Sequence, residues 1–155
     1  MRIDEIDIAE YETILLDRDG TINRLIVGDY VRRWSDFEFL PGVKTALAGF
    51  AKRAKHIFIV SNQRGVGKGL YTEVTLSDIH RRMCQEIEQA GGRIDGIYCC
   101  YALDDSDPNR KPNTGMFVQI QHDYPDVKPA TTLMIGDADS DEQFAHNCGI
   151  KFIRV

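Results

Sequence analysis

Apolar residues along this chain follow two alternating patterns. Largely apolar runs of strand length, without regular alternation, occur at residues 13–16, 56–60, 96–101, 131–135 and 151–155. Between them, apolar positions recur at spacings of three and four. Val43, Leu47, Phe50, Ala51 and Ala54 form one stripe, entered through Pro41-Gly42. Leu76, Ile79, Met83, Ile87 and Ala90 form a second, with Thr75 as the expected N-cap. Met116, Phe117 and Ile120 form a third, and a fourth helix is expected over 140–148, stopped by Gly149. Strands that are apolar throughout, rather than at alternate positions, are those covered on both faces.

Alternation of such strands with helices predicts an α/β fold, a doubly wound parallel sheet with helices on both faces. Ligands of these sheets bind beyond the carboxyl ends of the strands, where the winding reverses. The longest stretch without a period, 23–39, is expected to fold as a loop over that edge. No linker or repeat divides the chain, so residues 1–155 are expected to form a single domain with no inserted cap.

Composition narrows the partners. A net charge of −5 offers no general attraction to nucleic acid or to an anionic membrane. No apolar run is long enough to span a bilayer, and the start Met1-Arg2-Ile3-Asp4-Glu5 lacks a signal-peptide core. These features predict a cytoplasmic protein, expected to be a monomer. The four cysteines, Cys84, Cys99, Cys100 and Cys148, contain no Cys-x-x-Cys spacing, which argues against a disulfide framework or a structural zinc.

The polar residues that end the strands carry the chemistry. The first strand runs into Asp17 and Asp19, and the second into Ser61, Asn62 and Gln63. An acidic loop and then Arg110 and Lys111 follow the third; Asp137 and Asp141 follow the fourth. Carboxylates brought to one edge repel by about 4 kcal/mol per pair at about 4 Å in a near-surface dielectric of about 20. An oxygen-loving cation, Mg²⁺ above all, relieves that repulsion at Asp17, Asp19 and Asp137. Lys111 then offers a point charge, and Ser61 a hydroxyl, to a phosphoryl group.

In order and spacing, Asp17-x-Asp19-Gly20-Thr21, Ser61, Lys111-Pro112 and Gly136-Asp137-x-x-x-Asp141 resemble the four motifs of the haloacid dehalogenase-like phosphatases. The flanking Phe39-Leu40-Pro41-Gly42-Val43, Ser61-Asn62-Gln63-Arg64-Gly65, Asp95-Gly96-Ile97-Tyr98 and Arg110-Lys111-Pro112-Asn113-Thr114-Gly115-Met116 are similar to the D-glycero-D-manno-heptose-1,7-bisphosphate phosphatases and their histidinol-phosphate relatives. The resemblance implies a Mg²⁺-dependent phosphatase acting on a small sugar phosphate. Asp17 would form an aspartyl-phosphate, and Asp19 would serve as acid and then base. Asp17, the Asp19 backbone carbonyl and Asp137 would hold the metal, steadied by Asp141. Ser61 and Lys111 would bind the transferred phosphoryl group. Arg110 would meet the sugar or its second phosphate. Asn62 and Gln63 would orient the loop or the substrate. One departure stands out: the zinc loop usual before Arg-Lys-Pro is replaced by a shorter stretch after Cys99 without histidine, so no zinc is expected.

Other readings fit less well. Asp137, Asp139 and Asp141 fail as a calcium-binding EF-hand loop, because Glu142 and Cys148 stand where glycine and glutamate are needed. Gly65-Val66-Gly67-Lys68-Gly69 lacks the Ser or Thr of a P-loop and reads as a flexible loop. His56, His80, His122 and His146 form no metal pair and are read as structural or surface residues. Trp34, Tyr30 and Phe37 either line the substrate mouth or pack the long loop onto the body. A polynucleotide 3′-phosphatase shares the motif set but is disfavoured by the acidic balance. A phosphate-accepting receiver module, also doubly wound, would need an acceptor Asp after its third strand.

Overall fold

The computed structural model describes residues 1–155. Five strands, β1 (Thr13–Leu16), β2 (His56–Asn62), β3 (Gly96–Cys100), β4 (Thr132–Gly136) and β5 (Lys151–Arg154), form one sheet in the order β3-β2-β1-β4-β5. Every pairing is parallel. The chain winds outward from β1 through β2 to β3, then crosses to β4 on the far side of β1. The winding therefore reverses between β1 and β4, where a ligand crevice is expected. A receiver of the flavodoxin type places β1 between β2 and β3; here β4 takes the place of β3, and that reading is excluded.

Five helices cover the sheet: α1 (Val43–Ala51), α2 (Arg64–Gly67), α3 (Glu73–Gln89), α4 (Gly115–Asp123) and α5 (Asp139–Cys148). Alternate residues of the strands enter two separate cores, as the two-residue period of a strand requires. Ile14, Leu16, Ile57, Ile59, Leu133 and Ile135 pack with Val43, Leu47 and Phe50 of α1 and Met83 and Ile87 of α3. Leu15, Phe58, Val60 and Met134 pack with Met116, Phe117 and Ile120 of α4 and Phe144 of α5. All residues of β1 and β4 are buried, in keeping with their unbroken apolar runs.

Two local expectations are corrected. The N-cap of α3 is Thr72, whose hydroxyl accepts the Thr75 N–H at 3.1 Å, so the helix opens earlier than Thr75. The glycine-rich segment after β2 is no flexible loop: Arg64–Gly67 form the turn of α2. Glycine serves close packing there, since a Cβ on Gly65 would lie 2.3 Å from the Tyr71 ring.

The 23–39 loop closes on itself. Asn23 bridges Phe39, and the Arg24 N–H donates to Glu38 O at 2.8 Å. Trp34 stacks on Phe37 and Phe37 meets Phe39 edge-on, each with ring centres 5.0 Å apart. All three pack against the α1–α3 core, and Tyr30 lies against Tyr71 at 6.1 Å. These aromatics anchor the loop to the body. No helix is long and apolar enough to cross a membrane.

Candidate active site

Register brings the acidic residues together. Leu16 pairs with Ile135, and the Asp17 N–H donates to Ile135 O at 3.1 Å, so the chain leaves β1 and β4 side by side. The residues just beyond, Asp17 and Asp137, meet at the reversal of the winding. Asp141, in the first turn of α5, completes a cluster in which carboxylate oxygens of Asp17, Asp137 and Asp141 all lie within 4.8 Å of one another. Gly20 makes the approach possible: its φ is +89°, and a Cβ there would lie 2.0 Å from Asp137 Oδ2.

Lys111 closes the cluster from the β2 side. Its Nζ donates to Asp17 Oδ1 at 2.8 Å and to Asp141 Oδ1 at 2.7 Å, and its side chain is buried. Burial alone would lower the Lys111 pKa, but the two carboxylates outweigh it and hold the ammonium charged. Burial likewise pushes the Asp17 carboxyl well above the ordinary carboxylate range, against the pull of Lys111. Asn62 fixes the lysine backbone at both polar groups: Asn62 Nδ2 donates to Lys111 O at 3.1 Å, and the Lys111 N–H donates to Asn62 Oδ1 at 3.0 Å.

The crowding expected of Asp17, Asp19 and Asp137 is realised with Asp141 in place of the Asp19 side chain. Arg18 Nη2 and Asn23 Nδ2 donate to Asp19 Oδ1 at 2.8 and 2.9 Å, and Gln63 Nε2 donates to Oδ2 at 3.0 Å. Burial pushes the Asp19 carboxyl up, but Arg18 and these donors together bring it below its ordinary range.

A cavity of about 200 Å³ is bordered by Asp17, Asp19, Asn62, Lys111, Asp137 and Asp141, with Leu25 of the long loop on its rim. Ser61 and Arg110 do not border it. Ser61 is buried, and its hydroxyl accepts from Gln63 Nε2 at 2.7 Å. Arg110 turns to Asp105, to which its Nε donates at 2.9 Å. A larger hollow of about 660 Å³ on the outer side of β3, lined by Leu76, His80, Cys84 and Tyr98 among others, contains no carboxylate.

The donor set fits a hard divalent cation. With all three carboxylates ionised, the single Lys111 ammonium leaves a local charge of −2. Asp141 is already engaged: Oδ1 takes Lys111, and Oδ2 takes the N–H groups of Asp137 and Ala138 at 3.2 and 3.1 Å. Asp17 and Asp137 keep oxygen capacity to ligate an ion, with Asp141 behind them.

Sequence reasoning missed Arg18. It is fully buried, with Nη1 3.0 Å from His80 Nε2 and the guanidinium 5.9 Å from the Phe37 ring centre. An arginine lodged between two strand-end carboxylates was the available signal, because a charge that close to the sheet is buried only with partners.

Comparison with known proteins agrees with this geometry. The family model described as polynucleotide kinase 3 phosphatase matches residues 12–154. D-glycero-alpha-D-manno-heptose-1,7-bisphosphate 7-phosphatase of Mycobacterium bovis is 41% identical over 135 residues, covering 86% of this chain and 71% of its own. The D-glycero-beta-D-manno-heptose-1,7-bisphosphate 7-phosphatase of Bordetella bronchiseptica is 34% identical over 137 residues, covering 88% and 75%. A crystal structure of D,D-heptose 1,7-bisphosphate phosphatase from B. bronchiseptica, complexed with magnesium and phosphate, superposes with a TM-score of 0.84. It is 33% identical and covers 91% of this chain and 78% of its own. Motifs, winding and relatives agree that this chain belongs to the polynucleotide kinase 3 phosphatase family, among the haloacid dehalogenase-like phosphatases that include the heptose-1,7-bisphosphate enzymes.

Proposed function

We propose that this chain is a Mg²⁺-dependent phosphomonoester hydrolase that acts on a small sugar phosphate of the heptose-1,7-bisphosphate kind, through an aspartyl-phosphate on Asp17. The observation that carries the reading is the Lys111 ammonium lodged between Asp17 and Asp141, with Asp137 in the same cluster. It combines an acidic oxygen set with a fixed positive charge, which is what a transferring phosphoryl group meets in enzymes that work by positioning and electrostatics.

Asp17, Asp137 and the Asp19 carbonyl would hold Mg²⁺, with Asp141 in support. A bound Mg²⁺ would screen Asp17 from the negative phosphoryl oxygens and draw charge from the group in flight.

The residues of the chain do the rest. A carboxylate oxygen of Asp17 attacks phosphorus in line, forming one P–O bond as the bond to the sugar oxygen breaks. Lys111 holds a phosphoryl oxygen while Asn62 fixes the lysine in place. Asp19 gives its proton to the leaving alkoxide. In the second step it takes a proton from the water that attacks phosphorus, which frees Asp17 and releases inorganic phosphate. The approach of a phosphate dianion favours the protonated form of Asp19 that the first step needs. The Ser61 hydroxyl, which accepts from Gln63, retains its own proton to donate to a phosphoryl oxygen seated on that side. The scheme uses no zinc.

The test is phosphate release from the α and β anomers of heptose 1,7-bisphosphate, with histidinol phosphate and a 3′-phosphorylated oligonucleotide alongside. Release from a heptose bisphosphate that needs Mg²⁺ and is lost in Asp17→Asn is expected. Intact mass after acid quench should show a phosphoryl adduct in the wild type and none in that variant. Turnover retained by Asp17→Asn, or in the presence of chelator, would overturn the scheme. Preference for the oligonucleotide would overturn the substrate class.

A further inference from the structure

Two arginines beside the site share one carboxylate. Arg64 Nη2 donates to Asp105 Oδ1 at 2.5 Å, and Arg110 Nε donates to the same oxygen at 2.9 Å. The Asp105 side chain is 85% exposed, whereas those of Arg64 and Arg110 are 27% and 18% exposed. Arg64 Nε and Arg110 Nη1 are buried and without a partner. The carboxylate thus lies on top of two sunken guanidiniums whose donors it does not exhaust.

Placement ties this cluster to the site. Arg110 directly precedes Lys111, and Arg64 follows two residues after Asn62, the pair joined reciprocally beside the cavity. Asp105 is presented by a tight turn. The Ser106 N–H donates to Asp104 Oδ1 at 2.9 Å, the Asn109 N–H to Asp107 Oδ1 at 2.8 Å, and Asn113 Nδ2 to Asp105 O at 3.1 Å. The turn is anchored at its main chain, so the Asp105 side chain can rotate away without disturbing it.

We propose that Arg64 and Arg110 form a clamp for the second phosphate of a bisphosphate substrate, and that Asp105 is an internal competitor that the second phosphate displaces. This deepens the proposed function and rests on it, since Arg110 acquires a partner, Arg64, and a gate. The energetics favour exchange. A carboxylate–guanidinium pair whose carboxylate is in water is weak, because solvent screens it. A phosphate brings more charge and more acceptor oxygens, and it suits paired guanidinium forks. A monophosphate has no group with which to displace Asp105 and gains nothing from the clamp. Asp105 thereby acts as a specificity-determining residue.

The experiment compares kcat/KM for heptose 1,7-bisphosphate and heptose 7-phosphate in the wild type, Asp105→Asn and Arg64→Gln. Asp105→Asn should raise the bisphosphate-to-monophosphate ratio by about five-fold, the equivalent of one exposed ion pair removed as competitor. Arg64→Gln should lower the ratio by about ten-fold. A ratio that neither variant moves overturns the clamp. Calorimetric binding of heptose 1,7-bisphosphate to Asp17→Asn, with and without Asp105→Asn, reads the same exchange without turnover. Tighter binding in the double variant supports the clamp even if the hydrolytic scheme fails, and unchanged binding rejects it even if hydrolysis is observed.

Discussion

Asn62 and Lys111 are joined by two hydrogen bonds in opposite directions, the asparagine amide matching the lysine main chain at both its N–H and its C=O. The side chain at the end of β2 thereby sets where the Lys111 ammonium points. Asn62→Ala leaves both main-chain groups to find other partners, at a cost of about 1–3 kcal/mol each where they stay dry. The expected result is a fall in kcat of about ten- to a hundred-fold with a smaller change in KM, because the phosphoryl-facing charge is displaced rather than removed. Steady-state kinetics alongside a urea melt would check it. An unchanged kcat would remove Asn62 from the positioning role.

Lys111→Met tests the electrostatic balance of the cluster. It leaves Asp17 and Asp141 facing each other without their shared cation, and breaking such a buried pair destabilises by about 3–5 kcal/mol. In chelator the variant should unfold at markedly lower denaturant than the wild type. Added Mg²⁺ should stabilise the variant more than the wild type, since the ion becomes the only positive charge offered to the carboxylates. Equal responses of the two proteins to Mg²⁺ would argue against an ion at this cluster.

Gly20→Ala carries two penalties. A left-handed backbone at φ +89° disfavours a side chain, and the new methyl would overlap Asp137 Oδ2. The turn from Arg18 to Asn23, which contains Gly20, must open to accept it. Stability should fall by about 1–2 kcal/mol from the backbone alone, and the Mg²⁺ concentration for half-maximal activity should rise as Asp137 is pushed aside. A variant with wild-type Mg²⁺ dependence would contradict the role given to Asp137.

His80 gives a pH signature away from the carboxylates. Burial, then the neighbouring Arg18, depress its pKa to about 3, from an ordinary value near 6.5. Below pH about 6.5 the unfolded chain binds a proton that the folded chain refuses, so stability falls as pH falls, by up to about 1.4 kcal/mol per pH unit. Between pH about 6.5 and about 5, where most carboxylates stay ionised, wild-type denaturation midpoints should drop. Those of His80→Gln should drop less steeply over the same window, or rise, since the raised pKa of Asp17 favours the folded chain as pH falls. Parallel midpoints for the two proteins would show that His80 is not held neutral.

The sequence made the sheet legible because β1, β2 and β4 each carry an unbroken apolar run, Ile14–Leu16, Ile57–Val60 and Leu133–Ile135, and strands covered on both faces are the ones that tolerate that. Asp17 and Asp137 could be placed at one edge for the same reason: each directly follows such a run or its terminal glycine. The Asp141 contact with Lys111 was not legible, since it depends on how the first turn of α5 faces a residue thirty positions earlier. Motif position alone pointed to Ser61 as a phosphoryl-binding group and to Arg110 as a substrate-binding one. Side-chain direction was not legible, and here Ser61 faces Gln63 and Arg110 faces Asp105. Glycine content misled at α2, where Gly65 answers the need for room beside Tyr71 rather than for flexibility.

The loop that begins at Asn23 returns to Phe39 on its own main-chain bridge and is nailed down by three packed aromatic rings, yet it sends Leu25 to the cavity rim. Its scaffold and its working tip are thus separate parts. Substitutions between the fixed ends can reshape the doorway for a bulkier or slimmer sugar while the sheet beneath stays as it is, which makes this segment a natural place to redirect the enzyme to a new substrate.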